Sequence, residues 1–141
     1  MDWGASVAQW EANHHPDPVT GPGNWWPRYP NGLDEYTNVS LSGPRVVSYT
    51  LNLYPAMALP QALARVKDEL PPASTVVRSQ PVPAAAPSCL VALIANPVLA
   101  SRLGTEVEAV LHSAGPSWDP ADVVSISLAP YPLSGGPPLV C

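Results

Sequence analysis

Positive charge is scarce in this sequence. One lysine, Lys67, and five arginines stand among 141 residues, and no stretch gathers them into a cluster. A nucleic-acid surface needs grouped Lys and Arg to neutralise phosphates, and an anionic membrane surface asks for the same, so neither partner is expected. Long hydrophobic runs are missing too, since none approaches the roughly 20 apolar residues of a membrane span. The opening Met1-Asp2-Trp3-Gly4 has no basic stretch leading into an apolar one, so no export signal is read there. The expected location is therefore the cytoplasm or a virion assembled there, although a mature exported domain would start in the same way. Phenylalanine is absent. Together with the preference for Arg over Lys and the twenty prolines, this suggests a GC-rich bacterial or phage genome, which concerns origin and not activity.

Catalytic signatures are equally sparse. There is no Gly-x-Ser-x-Gly elbow, and Ser134-Gly135-Gly136 falls in a proline-rich tail instead of between a strand and a helix. Neither Gly-x-x-x-x-Gly-Lys nor Gly-x-Gly-x-x-Gly occurs, which removes the two common phosphate cradles. The two cysteines, Cys89 and Cys141, match no zinc or redox spacing. Cys89 opens an apolar run and reads as an inert buried thiol; a Cys89–Cys141 disulfide remains open for an oxidising compartment. The terminal Cys141 lacks the context of a prenylation box. Asn38-Val39-Ser40 matches a glycosylation sequon by chance within a strand.

What is present is core-forming material. Hydrophobic residues make up 46% of the chain against 12% charged, so the compositional signature of disorder is missing. A chain of this length buries roughly two-thirds of its unfolded surface as one domain. Three zones are expected: residues 1–33 as a Trp- and Pro-rich arm, 34–129 as the folded body, and 130–141 as a Pro/Gly-rich tail. The arm opens on a short helix capped by Asp2, with Trp3, Val7 and Trp10 on one face. His14 to Gly32 is dense in proline and glycine, which predicts an extended or turn-rich segment without a regular ladder.

In the body, Tyr36–Leu41 and Arg45–Tyr54 read as strands around a turn at Ser42-Gly43-Pro44. Val47, Tyr49, Leu51 and Leu53 alternate with Ser48, Thr50 and Asn52, which assigns one apolar and one polar face. Pro60 starts a helix that Pro71-Pro72 ends, with Leu59, Leu63, Val66 and Leu70 as its stripe and Arg65–Glu69 as an i, i+4 pair. A strand over Ser74–Ser79, a loop over Gln80–Pro87 and a strand over Cys89–Ala95 follow. Asn96-Pro97 caps a short helix that Gly104 closes. Strands over Thr105–His112 and Val123–Ala129 complete the body, the second preceded by a helical turn at Asp119-Pro120. The order predicts an α+β open-faced sandwich with a ferredoxin-like split β-α-β core and extra edge strands. Such a fold carries many functions and assigns none.

Three groups of residues could carry function. His14, His15 and Asp17, with Asp34 and Glu35 beyond, contain metal-ligand types, but adjacent side chains diverge and no ligand spacing is present, so no metal or other cofactor is expected. Glu106, Glu108 and His112 share a strand face, with the two carboxylates roughly 6.5–7 Å apart at Cα, a spacing usable for acid–base work. A wet face of an antiparallel sheet gives the same alternation. Finally, Trp25, Trp26 and Tyr29, with Trp10 nearby, concentrate large amphipathic rings among prolines, the residue types that dominate binding hot spots. The same rings could instead seal the domain's own sheet. The sequence thus favours a non-catalytic protein-binding or assembly module, such as a component of a phage or bacterial particle. Self-assembly or partner binding would run through the arm. The alternative is a small hydrolase or metal-dependent enzyme using Glu106, Glu108 and His112 or the His14, His15 and Asp17 group.

Overall fold

A computed structural model of the chain describes residues 2–20, 23–28, 34–82, 89–136 and 138–141. Its elements, in order, are α1 (Val7–Asn13), β1 (His14–Pro16), β2 (Trp25–Pro27), β3 (Glu35–Ser42), β4 (Arg45–Met57), α2 (Leu59–Glu69), β5 (Thr75–Val82), β6 (Cys89–Ala95), α3 (Pro97–Leu103), β7 (Thr105–Ser113) and β8 (Val123–Pro132). The strands form one eight-stranded sheet in the order β1-β2-β3-β4-β8-β7-β6-β5, with every neighbouring pair antiparallel. With three short helices, this makes a sheet-dominated α+β fold. Among the described residues no helix is long and apolar enough to cross a membrane.

The split β-α-β arrangement is not what these pairings give. It needs crossover helices that return the chain parallel to an earlier strand. Here α3 is seven residues long, with single residues Asn96 and Gly104 at its ends, and it joins β6 to β7, which pair antiparallel. It decorates a hairpin. The last strand, β8, then inserts beside β4 by pairing Leu51 with Ile126 and Thr50 with Ser127. From β3 onward the element order was legible in the sequence, whereas strand order depended on this long-range pairing.

The N-terminal segment also differs from expectation. Asp2 does not cap α1. Ser6 does, accepting a hydrogen bond from the Gln9 amide while the Gln9 side chain accepts from the Ser6 amide. Gly4, at φ +82°, turns the chain just before it, a backbone region closed to most other residues. Residues 3–5 then run along the start of β4, with Gly4 N–H donating to the Val46 carbonyl and Val46 N–H donating to that of Ala5. Beyond α1, the proline-rich stretch forms a short ladder where none was expected, with His15 opposite Trp26 and Pro16 opposite Trp25. Pro16 is tolerated because β1 is the sheet's edge. β5, predicted to end at Ser79, runs on to Val82, and the rest of the expected 80–87 loop lies outside the described residues.

Two apolar clusters hold the sheet. On the helix-bearing face Trp3, Trp10, Leu51, Leu53, Val66, Leu99, Leu111 and Ile126 form the main core. On the opposite face Cys89, Val91, Leu93, Val110 and Tyr131 are covered by Leu139 of the tail. Cys141 reaches Cys89 in a disulfide with its Cα atoms 6.0 Å apart, so Cys89 is a bonded half-cystine and not a free thiol. β6 is therefore buried on both faces, in keeping with its unbroken apolar run.

Candidate functional site

The most concentrated chemistry lies where the N-terminal segment meets the end of α2. The buried stripe of α2 is Ala62, Val66 and Glu69, so an acid occupies the final buried position. It faces two tyrosines projecting from β3 and β4. Tyr36 donates to Glu69 Oε1 at 2.6 Å and Tyr49 donates to Oε2 at 2.9 Å. The Arg65 guanidinium lies 3.2 Å from the Tyr36 hydroxyl, 3.3 Å from Glu69 Oε1 and 3.6 Å from Asp34 Oδ2. Asp34 accepts from the Tyr54 amide at 3.0 Å. On the other side, Asp2 Oδ2 lies 3.4 Å from the Tyr36 hydroxyl and 3.3 Å from His14 Nε2. His14 Nδ1 is 2.7 Å from the Trp10 carbonyl, so both ring nitrogens face acceptors.

This environment separates two carboxyl groups. Burial, then the charge of Asp2, pushes Glu69 up to about 7, against the pull of Arg65 and the Tyr36 hydroxyl. Burial raises Asp2 as well, but hydrogen bonds from His14 and Glu69 outweigh it and hold Asp2 at about 2. Burial and the nearby Glu69 charge drive both tyrosines above their ordinary range. Perturbed acids of this kind mark active sites when they line a cleft, and structural networks produce them too. Here they are sealed: Glu69 is 2% exposed, and Tyr36 and Tyr49 are 1% exposed. The adjacent depression of about 240 Å³ meets only Asp34 and Arg65 of the group. The network joins Asp2, β1, β3, β4 and α2 into one unit, with Glu69 and both tyrosine hydroxyls in its interior.

Sequence reasoning passed over this network, reading Glu69 only as a partner of Arg65. A signal existed, because Glu69 sits three residues after Val66 on the same helical face, opposite strands that carry Tyr36 and Tyr49 on core-facing positions.

The arm's aromatics part company. Trp10 is 2% exposed, stacked on His14 with ring centroids 3.8 Å apart and edge-on to Tyr36 at 5.2 Å, so it packs within the core and presents little surface of its own. Trp25 and Trp26 are both half-buried and, as strand neighbours, face opposite ways. Trp25 packs against the main core, whereas Trp26 lies edge-on to His15 at 5.8 Å. Tyr29 lies outside the described residues. Trp25 borders an apolar groove of about 250 Å³ together with Val7, Val39 and Leu41, with Trp10 at its floor. Leu41 is 53% exposed there.

The His14, His15 and Asp17 group is pulled apart. His14 turns inward to Asp2, and His15 lies beside Trp26. Asp17 accepts from the Thr20 hydroxyl and from the Val19 and Thr20 amides, bonds that hold its carboxyl below the usual range. Among the described residues no group of three or more His, Cys, Asp or Glu is placed to hold a metal ion. Glu106, Glu108 and His112 do share the tail-bearing face of β7, opposite Tyr131, Ala129 and Ser125 of β8. Burial raises the Glu108 carboxyl, and Glu106 borders a shallow depression of about 290 Å³ with Thr75 and Leu133.

Fold and sites together define an α+β domain with an antiparallel sheet, a sealed polar network and open surface grooves. Compared with protein-family models, curated proteins and solved structures, the chain matches none.

Proposed function

We propose that the protein is a non-catalytic binding module whose N-terminal aromatic face takes an apolar side chain from a protein partner. The observation that supports this is the groove between Trp25 and the exposed Leu41. Ring and aliphatic surface stand open there on the sheet, while the perturbed Glu69 is buried. Tryptophan beside a concave apolar surface is the hot-spot arrangement of protein interfaces. A second copy of the chain, as in a particle or other assembly, is the partner tested first. The Cys89–Cys141 bridge favours an oxidising compartment for this work over the cytoplasm, where thiols are kept reduced.

Light scattering across a concentration series tests the proposal. Wild type is expected to gain mass with concentration, and Trp25→Ala and Leu41→Ser to remain monomeric. A wild-type protein that stays monomeric, with both variants unchanged in mass, would remove the self-assembly reading of this face.

A second reading, a hydrolase using Glu106, Glu108 and His112, is favoured only by their shared face and the raised Glu108 carboxyl. A screen of simple ester and phosphoester substrates tests it. Turnover abolished by Glu108→Gln would support it, and no turnover above background would end it.

A further inference from the structure

Between α1 and α3, away from the Trp25 groove, a pocket of about 400 Å³ opens over Trp3. Its apolar wall is Pro71, Pro72 and Leu99, and its polar rim is Gln9, Asn13 and Arg102. No acidic residue lines it, although the chain carries a net charge of −5. Among the described residues the Arg102 guanidinium has no ion-pair or hydrogen-bond partner. Gln9 is fixed by the α1 cap: its Oε1 accepts from the Ser6 amide and hydroxyl, which leaves its NH₂ group as a free donor at the rim. Trp3 is 1% exposed, and its indole N–H finds no acceptor among the described residues. Buried indole N–H groups ordinarily have one.

The walls are held in place before any ligand arrives. Asn96 donates to the carbonyls of Pro71 at 2.9 Å and Pro72 at 3.1 Å, and its Oδ1 caps α3 by accepting from the Val98 and Leu99 amides. One buried side chain thus locks the diproline turn to the helix that carries Arg102. Gly4 completes the fit, because a Cβ there would come 3.1 Å from Leu99 Cδ2.

We infer that this pocket binds an apolar monocarboxylate, its acid group on Arg102 and Gln9 and its body between Leu99 and the two prolines. A planar guanidinium matches a carboxylate in a two-point contact. The volume falls within the roughly 300–1,000 Å³ of small-molecule sites. A single cation with no second Lys or Arg beside it suits one negative charge, not a phosphate. The acid can arrive as a free molecule or as the C-terminal residue of a peptide.

The test is a titration of ¹⁵N-labelled full-length protein, followed by amide and indole signals. The probes are 3-phenylpropionate, its neutral amide, inorganic phosphate, and Gly-Gly-Leu with a free or amidated C-terminus. The inference expects saturable shifts at Gly4, Val98 and the Trp3 indole for the acids, with the neutral amides at least about tenfold weaker and phosphate no stronger than the amides. Arg102→Gln, an exposed substitution that leaves the core untouched, should weaken the acids at least about tenfold. The stronger of 3-phenylpropionate and Gly-Gly-Leu identifies the source. Equal binding of acid and amide, affinity unchanged in Arg102→Gln, or no saturation by about 10 mM would each overturn it. Because Arg102 and the Trp25 groove share no residue, failure here leaves the partner-binding proposal standing, and the reverse holds too.

Discussion

The two faces of the sheet are secured by different physics. On the helix-bearing face, the N-terminal segment is tied into a polar network around a buried acid: Tyr36, Tyr49 and Arg65 converge on Glu69, Asp2 accepts from the Tyr36 hydroxyl, and the Trp3 amide donates to the Glu69 backbone carbonyl. On the opposite face, the C-terminal tail is tied by a covalent bond and apolar contact through Cys141, Leu139 and Tyr131. Gly136 passes close to the Tyr131 ring, where an added Cβ would lie 2.9 Å from Cε2. The first tether should respond to pH, through Glu69 and Asp2, and the second to redox conditions. Both ends of the chain are thereby closed onto one sheet by means that can be undone separately.

Removing the centre of the polar tether is the most damaging way to break this contrast. Glu69→Ala strands two buried tyrosine hydroxyls and an arginine, and should cost about 3–5 kcal/mol at pH 5 by urea denaturation. Glu69→Gln keeps the shape and a neutral acceptor and should cost far less. The covalent tether comes next. Cys141→Ser opens a link between positions 52 residues apart and should cost about 2–4 kcal/mol. Amide exchange should rise at Leu139 while the indole signals of Trp3 and Trp10 stay in place. Equal loosening at both ends would show that the two tethers act as one.

The pH response separates them further. Glu69 titrates at about 7 in the fold against 4.5 ordinarily, so between those values the native state binds the extra proton and stability falls as pH rises. Asp2 moves oppositely, at about 2 against 3.8, so its contribution is present above 3.8 and lost as pH falls below. From these two groups stability should peak near pH 4 and decline by about 2–3 kcal/mol towards pH 7. The charged groups facing Glu69 are Asp2, Arg65 and, one step out, His14 and Asp34. Glu69→Gln should flatten the upper slope, whereas Cys141→Ser should keep it. A flat wild-type profile between pH 4.5 and 7 would show that Glu69 titrates normally.

The smallest expected effect tests the turn beneath the first tether. Gly4→Ala places a side chain at φ +82° and 3.1 Å from Leu99, and should cost about 1–2 kcal/mol in thermal or urea unfolding. No shift at all would mean that residues 3–5 are not held against β4 and α3.

Local signals were legible where neighbouring residues decide the outcome. The cap at Asn96-Pro97 and the stop at Gly104 produced α3 as expected, because both act within one turn of the helix. The alternation of Val47, Tyr49, Leu51 and Leu53 gave β4 its buried face. The cap of α1 went to Ser6 instead of Asp2 because a reciprocal bond with Gln9 satisfies two amides at once. The burial of Trp10 was not legible, because aromatic density looks the same on an interface and in a core.

The sequence by itself determined an α+β chain with its helices and the strands from β3 onward in this order, but not β1 and β2, since turn chemistry and hydrophobic period act over a few residues. Only the tertiary structure decided that β8 lies beside β4, that Glu69 gathers Asp2 and two tyrosines, and that Cys141 returns to Cys89. Those outcomes depend on groups 20 to 77 positions apart, whose meeting is set by the whole pattern of burial and pairing and not by any local preference.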